Sequence, residues 1–136
     1  LEDICSVDGR IVKTKDKPIR CGGIDFGVSK HVASIILAAM KSDKKIRCAM
    51  NIKYSEKNLG LCKKAGFKIG TFDRMYEPKN AKSTMEWGTN YAIKKLGATP
   101  DIIYDTGGKG KESMIRILGE KPKGVIKKLH VLSKKL

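Results

Sequence analysis

Short apolar segments alternate along this chain with segments whose apolar residues recur at helical spacing, and this alternation constrains the fold most. The runs 46–54 and 101–105 have the length and composition of strands, and 67–72 alternates apolar and polar residues. Strands that alternate with helices predict an α/β fold around one sheet. With 136 residues, the chain is long enough for one domain with one core, so we expect 1–136 to form a single domain.

Helical spacing predicts five helices, near residues 30–42, 55–66, 83–96, 114–118 and 123–132. Ser29, Ser55 and Ser83 are expected to cap the first three, because a serine hydroxyl accepts a hydrogen bond from a free amide of the first turn. Residues 9–21 are predicted to form two short strands around a polar turn at Lys15–Pro18.

The net charge of +15, supplied almost entirely by lysine, favours anionic partners. A nucleic-acid-binding module is one alternative, but there are only five arginines, aromatic residues are few and the lysines are scattered. By composition, phosphorylated small molecules are therefore as good a partner class as nucleic acid. The sequence contains no recognised nucleic-acid-binding motif, so nucleic acid is not expected as a partner. No apolar run approaches the roughly 20 residues that span a bilayer, so no membrane partner is expected. The four cysteines form no CxxC pair and are expected to be reduced, mostly buried thiols of a cytoplasmic protein.

A glycine- and lysine-rich loop follows the predicted strand that ends at Asp105. Its candidate phosphate-binding residues are Gly107, Gly108, Lys109, Gly110 and Lys111. Glycines let the backbone approach a ligand closely, the lysines add charge, and a helix beginning after the loop would add free amides. The pattern predicts a phosphate-binding loop, with an ordinary flexible connection as the alternative.

A second glycine-rich segment, 22–31, leads into the first predicted helix and places His31 in its first turn. A neutral imidazole there can donate to an anion or accept a proton. The alternative is a structural histidine, which is the more common role of a lone histidine.

Further candidate ligand-binding side chains lie at predicted strand ends and on the third helix. Asn51 and Lys53 share one face of a strand, which either meets a ligand or is simply solvated. Arg74 follows another strand, where its guanidinium could bind phosphate or form a structural pair with Asp73. Trp87, the only tryptophan, could stack on a heterocycle or simply pack in the core. Any metal is expected to be Mg²⁺ shared with phosphates, with Asp73 and Asp105 as candidate ligands by position.

Six motifs in order resemble the archaeal-type thiamine-phosphate synthase (ThiN) family over about residues 5 to 130. They are Asp8-Gly9-Arg10-Ile11, Phe26-Gly27-Val28-Ser29-Lys30-His31-Val32-Ala33, Met50-Asn51-Ile52-Lys53-Tyr54-Ser55, Phe72-Asp73-Arg74, Ser83-Thr84-Met85-Glu86-Trp87-Gly88 and Tyr104-Asp105-Thr106-Gly107-Gly108-Lys109-Gly110-Lys111-Glu112. The resemblance implies a three-layer α/β/α fold with a mixed sheet, similar to that of the AraD-like aldolases.

The implied reaction joins hydroxymethylpyrimidine pyrophosphate to hydroxyethylthiazole phosphate, and gives thiamine phosphate and pyrophosphate. The family pattern implies that Arg10 and His31 are essential. We further expect Arg10, Lys109 and Lys111 to meet phosphate charge, His31 to orient or protonate the leaving pyrophosphate, and Asn51 and Trp87 to hold the heterocycles.

The same resemblance implies that the chain is a C-terminal part of a longer protein, behind a hydroxymethylpyrimidine kinase domain. A thiamine-phosphate sensor behind a DNA-binding module is the main alternative function. The sequence leaves the oligomeric state open, and a homo-oligomer stays an alternative to a monomer.

Overall fold

The computed structural model describes residues 1–133, which contain eight strands and four α-helices. The strands are β1 (Cys5–Val7), β2 (Ile11–Lys13), β3 (Pro18–Arg20), β4 (Ile24–Phe26), β5 (Cys48–Lys53), β6 (Ile69–Thr71), β7 (Ile102–Asp105) and β8 (Met114–Gly119). The helices are α1 (His31–Ser42), α2 (Glu56–Lys64), α3 (Thr84–Leu96) and α4 (Pro122–Ser133). A single 3-10 turn, Arg74–Tyr76, lies between β6 and α3.

The central sheet is mixed and has the strand order β5-β8-β7-β6. Strand β8 is antiparallel to both neighbours, whereas β6 and β7 are parallel. One hydrophobic cluster joins α1 and α3 to one face of the sheet, through Ile35, Ile93, Ile103 and Leu118. A second cluster joins α2 and α4 to the other face, through Leu61, Ile102, Ile117 and Val125. The predicted three-layer α/β/α arrangement with a mixed sheet is thus confirmed.

The predicted helix over 114–118 is wrong, because these residues form strand β8. Ile115 and Ile117 enter the cluster under α2 and α4, whereas Leu118 enters the cluster under α1 and α3. Every second residue therefore faces the same side, and both sides are buried. A strand buried on both faces is an unbroken apolar run, which sequence periodicity cannot distinguish from a buried helix.

Two of the three predicted helix caps are confirmed. The Ser55 hydroxyl accepts a hydrogen bond from the Asn58 amide at 3.0 Å, and the Ser83 hydroxyl accepts one from the Glu86 amide at 3.2 Å. The predicted Ser29 cap is wrong, since Lys30 occupies the N-cap position of α1 and makes no side-chain capping bond there. No side chain of the described residues caps the first turn of α1, so its free amides stay available to another acceptor.

The predicted hairpin at 9–21 is confirmed and belongs to a longer arm, which we define as residues 5–26. Strand β1 pairs with β4 and β2 pairs with β3, both antiparallel, so the arm is two short ribbons in series. The ribbons join where Gly22 passes against Asp8; a Cβ on Gly22 would lie 2.3 Å from the Asp8 carbonyl oxygen. Cys5 and Cys21 are exposed on the arm, so the expectation of mostly buried thiols was wrong for these two.

Burial raises the pKa of the Cys48 and Cys62 thiols, which disfavours their reactive thiolate forms. Among residues 1–133, no helix combines the length and the apolar composition that crossing a membrane requires.

Candidate functional site

Asp105, at the end of β7, is a buried carboxylate that pairs with two arginines. Its Oδ1 accepts hydrogen bonds from Arg74 Nε and from the Gly107 amide, both at 2.8 Å. Its Oδ2 forms an ion pair with Arg116 Nη2 at 2.7 Å. The carboxylate thereby joins the 3-10 turn after β6, the loop after β7 and the middle of β8.

Two guanidinium groups share this one carboxylate, so the cluster carries a formal charge of +1. The side chains of Asp105, Arg116 and Arg74 are 1%, 3% and 14% exposed. Burial lowers the pKa of Arg116, and the charge of Asp105 opposes that change. Arg116 Nε and Nη1 have no hydrogen-bond partner among the described residues, so two buried donor atoms of the cluster are unsatisfied there.

The loop 107–111 is a tight hairpin connection between β7 and β8. Gly108 and Lys111 exchange backbone hydrogen bonds of 3.1 and 2.9 Å, which places Lys109 and Gly110 at the tip. Gly107 has a φ of +77°, and a Cβ there would lie 2.4 Å from the Lys111 carbonyl oxygen, so only glycine fits. The prediction that a helix begins after this loop was wrong, and no helix N-terminus contributes to it. Anion binding here must rest on side-chain cations and loop amides.

An open cleft of about 390 Å³ lies between this loop and the 3-10 turn, in the size range of small-molecule sites. It is lined by Asp73, Arg74, Met75, Glu77, Gly107, Gly108, Lys109 and Lys111. The cleft thus brings together five of the predicted ligand-binding residues. Arg74 bonds to Asp105 through Nε, and its terminal Nη groups make no hydrogen bond within residues 1–133. These groups can therefore bind a ligand such as phosphate.

A second cleft, of about 280 Å³, lies at the start of α3 and is lined in part by Trp87 and Asn90. Trp87 is half-buried and packs edge-on against Phe72, with ring centroids 5.8 Å apart. Its ring also lies 5.5 Å from that of Tyr91. Trp87 is therefore a packing residue that also borders a cleft.

The start of α3 is also connected to the first cleft. Thr84 Oγ1 donates a hydrogen bond of 2.7 Å to Oε1 of Glu77, which lines that cleft.

Asn51 and Lys53 lie exposed on β5, on the sheet face that carries α1 and α3. Asn51 is the Cα partner of Arg116 on β8, so it lies one strand away from the Asp105 cluster. Neither Asn51 nor Lys53 lines the two clefts described. The predicted location on one strand face is confirmed, and a contact with ligand stays a prediction.

Arg10 and His31 line neither cleft. Arg10 is exposed where the two ribbons of the arm meet, and His31 is the exposed first residue of α1. At the other end of α1, Lys41 Nζ meets Glu86 Oε1 of the first turn of α3 at 2.6 Å. His31 is ten residues before Lys41, about 15 Å along the helix axis, so it lies far from that contact.

The two predicted metal ligands have different environments. Both oxygens of Asp105 already face arginines, which makes it a poor ligand. Asp73 lines the cleft, and only its Oδ1 accepts a hydrogen bond, from the Met75 amide at 2.9 Å. Within residues 1–133, no cluster of three histidine, cysteine or acidic side chains could hold a metal ion by itself.

Arg116, the second cation on Asp105, was not predicted from the sequence. Residues 114–118 were expected to form a helix, so the side of the sheet on which Arg116 lies could not be predicted. The available signal was a lone arginine between Ile115 and Ile117, in a run that follows a glycine-rich turn. In a strand, that alternation puts Arg116 on the opposite face from its neighbours.

Comparison with known proteins places this geometry in a family. A model of the family described as thiamine-phosphate synthase ThiN matches residues 1–131. The bifunctional thiamine biosynthesis protein ThiDN of Methanocaldococcus jannaschii is 48% identical over 134 residues, which are 98% of this chain and 32% of that protein. The thiamine-phosphate synthase ThiN of Methanothermobacter thermautotrophicus is 33% identical over 122 residues, which are 87% of this chain and 64% of that protein.

Two solved structures share the fold. The C-terminal domain of protein MJ0236 is 49% identical, with a TM-score of 0.89 over 96% of this chain and 71% of the other. The C-terminal domain of a phosphomethylpyrimidine kinase is 37% identical, with a TM-score of 0.86 over 94% of this chain and 74% of the other. The chain spans about a third of one curated relative and just under two thirds of the other. Since the family model matches nearly every residue, the chain belongs to the thiamine-phosphate synthase ThiN family.

Proposed function

We propose that this chain is a thiamine-phosphate synthase, which condenses hydroxymethylpyrimidine pyrophosphate with hydroxyethylthiazole phosphate. The observation that carries the proposal is the cleft where Arg74, Lys109 and Lys111 lie together, in a chain of the ThiN family. Both substrates carry phosphate groups, and one product is pyrophosphate. A cleft that presents fixed cations and loop amides is suited to all of these anions.

In this reaction the thiazole nitrogen forms a bond to the methylene carbon of the pyrimidine. The bond between that carbon and the pyrophosphate oxygen breaks, and the pyrophosphate leaves with the electron pair. Negative charge therefore grows on the leaving oxygen, and cations already in place stabilise it without reorganising. We assign this role to Arg74, Lys109 and Lys111, with Arg74 held in orientation by Asp105.

We further propose that Arg10 and His31 are essential to turnover. Arg10 would meet phosphate charge and His31 would orient or protonate the leaving pyrophosphate. Both side chains are exposed, and His31 begins a helix whose first turn has no side-chain cap among the described residues. Free amides of a helix start favour an anion beside His31. Asn51, Lys53 and Trp87 would hold the heterocycles or their phosphates.

Mg²⁺ is proposed as the cofactor, and it would bind together with the pyrophosphate group. Asp73 and Glu77 line the cleft and are the carboxylates that fit such an ion, since Asp105 is committed to its two arginines. Mg²⁺ usually takes one or two carboxylates and completes its shell with phosphate oxygens and water. Bound there, the ion would supply charge that neutralises the phosphates.

The wider setting is also a proposal. One curated relative is a bifunctional protein of which this chain covers a third, and one solved relative is the C-terminal domain of a phosphomethylpyrimidine kinase. We propose that a kinase domain precedes this chain in its full-length protein and that the protein is cytoplasmic.

The assay is formation of thiamine phosphate by the purified chain from the two substrates with Mg²⁺. We expect one pyrophosphate released for each thiamine phosphate formed. His31→Ala and Arg10→Ala should abolish turnover and leave the circular dichroism spectrum intact. His130→Ala, at an exposed site on α4, and Arg20→Ala, at another exposed arginine of the arm, are the matched controls and should stay active.

The same experiment separates the synthase from the sensor. A folded preparation that binds thiamine phosphate but forms none would contradict the proposal and favour the sensor. Salt-sensitive DNA binding without affinity for thiamine phosphate would contradict both.

A further inference from the structure

Arg116 lies behind the phosphate-binding cleft and does not line it. On β8 it is the Cα partner of Ile103 of β7, and Asp105 is two residues further along β7, on the same face of the sheet. The Arg116 side chain is 3% exposed, so it is out of contact with a ligand in the cleft. Any effect of Arg116 on such a ligand must therefore pass through a neighbouring side chain.

Arg116 is not the residue that stability alone would favour at this buried position. Its Nε and Nη1 have no hydrogen-bond partner among the described residues, and an unsatisfied buried donor costs stability. Arg74, the other cation on Asp105, repels it. The Phe72 ring lies 5.5 Å from its guanidinium carbon, but a cation–π contact is weaker than the cost of burying an ion. An apolar side chain of similar volume would fit this position at least as well.

The contact that Arg116 does make holds one side of the Asp105 carboxylate. Asp105 Oδ2 has no hydrogen-bond partner within residues 1–133, and its ion pair with Arg116 Nη2 is 2.7 Å long. The other oxygen, Oδ1, accepts hydrogen bonds from Arg74 Nε and from the Gly107 amide, both at 2.8 Å. A carboxylate held at one oxygen cannot turn without losing that contact, so Arg116 fixes the direction in which Oδ1 points.

We propose that Arg116 is a positioning residue of the phosphate-binding cleft, which acts through Asp105 to hold Arg74 and the Gly107 amide in their binding orientation. The inference rests on the proposed function, because it takes the cleft as the pyrophosphate site. The fold accepts a buried arginine with unsatisfied donors, and the cleft gains an oriented guanidinium in exchange.

Calorimetric titration of the purified chain with pyrophosphate and Mg²⁺ tests this, with Arg116→Met as the variant. We expect the dissociation constant to rise about 10-fold or more, as when a side chain that orients the ligands of a metal site is removed. The urea midpoint of unfolding should not fall, because Asp105 stays paired with Arg74. A role in stability alone predicts the reverse, a lower midpoint and an unchanged dissociation constant.

Arg47→Met is the matched control. It removes the same charge at an exposed site just before β5, outside both clefts, and should bind pyrophosphate as the wild type does.

A double-mutant cycle with Arg74→Lys separates positioning from charge. If Arg116 orients Arg74, then Arg116→Met should weaken pyrophosphate binding far less once Arg74 is lysine, because no guanidinium is left to orient. If Arg116 acts only by its charge or by a general loss of structure, the two effects multiply. Arg116→Lys keeps a cation beside Asp105 and should recover part of the affinity, and it serves in the same cycle if Arg116→Met does not fold.

Wild-type affinity in the folded Arg116 variants would overturn the inference and leave the cleft assigned to pyrophosphate. Effects of the Arg116 and Arg74 substitutions that multiply would do the same. A wild-type chain that does not bind pyrophosphate would overturn the assignment of the cleft and this inference together.

Discussion

Among single residues, Arg74 is a cation of the cleft that a neighbouring carboxylate holds in place. Its Nε is fixed by Asp105 at 2.8 Å, so the guanidinium is oriented before a ligand arrives. A preorganised guanidinium loses little side-chain entropy when it binds a phosphate, whereas a flexible lysine loses more.

Arg74→Lys tests this role while keeping the charge. The variant loses the fork and the bond to Asp105, so we expect kcat/KM to fall about 10- to 100-fold, because a hydrogen bond to a charged group contributes about 1.5–3 kcal/mol. Arg47→Lys, at an exposed arginine outside both clefts, is the matched control. Equal kinetics for the two variants would show that Arg74 supplies only charge.

Asp105→Asn removes the charge that compensates Arg74 and Arg116. Breaking one partner of a buried ion pair costs about 3–5 kcal/mol, because the other charge stays buried and unpaired. We expect a loss of that size in the free energy of unfolding, measured by urea denaturation. Asp16→Asn, in the exposed turn of the arm, should change it by less than about 0.5 kcal/mol. A small loss in both variants would contradict the structural role of Asp105.

The sequence predicted part of this cluster and missed the rest for a physical reason. Arg74 and the glycine-rich loop stood out by residue type alone. Arg116 did not, because its importance comes from a tertiary contact with Asp105, and the two lie on neighbouring strands whose register the sequence does not reveal.

At the scale of secondary-structure elements, helix caps and glycine stops were predictable because their signals are local. Ser55 and Ser83 cap their helices as expected, and Gly97 ends α3. The error over 114–118 arose because burial on both faces removes the alternation that marks a strand. Its consequence was functional: the expected helix N-terminus at the phosphate-binding loop does not exist.

One contact between elements gives a prediction for pH. Burial raises the pKa of Asp101, but hydrogen bonds from Lys128 of α4 and from the Lys68 amide outweigh it and hold the pKa below its ordinary value. A carboxylate with a lowered pKa stabilises the fold above its unfolded pKa of about 3.9, and this stabilisation disappears as the pH falls through the folded pKa.

Asp101→Asn should therefore be less stable than the wild type at pH 7, and the difference should narrow as the pH falls below the unfolded pKa of about 3.9. Thermal unfolding midpoints at pH 7, 5 and 3 measure it. Asp16→Asn, where the carboxylate is exposed, should differ little from the wild type at every pH. A difference for Asp101→Asn that stays constant from pH 7 to 3 would contradict the linkage.

At the scale of the whole molecule, the net charge of +15 is unevenly distributed, and it shows where each surface can act. Residues 31–136 carry +14 of it and present three cations at the cleft, whereas residues 1–30 carry +1. Composition alone predicted an anionic partner. It could not show that the arm and the cleft are separate surfaces, because that depends on how residues 5–26 pair with each other.

The central claim is that phosphate groups bind between Arg74 and the loop 107–111. The most direct test is an NMR titration of the chain with pyrophosphate and Mg²⁺. We predict saturable shifts of the Gly107, Gly108 and Gly110 amides that are lost in Arg74→Lys, while the Gly124 amide on α4 does not move. Shifts confined to other parts of the chain, with the loop glycines unchanged, would contradict the account.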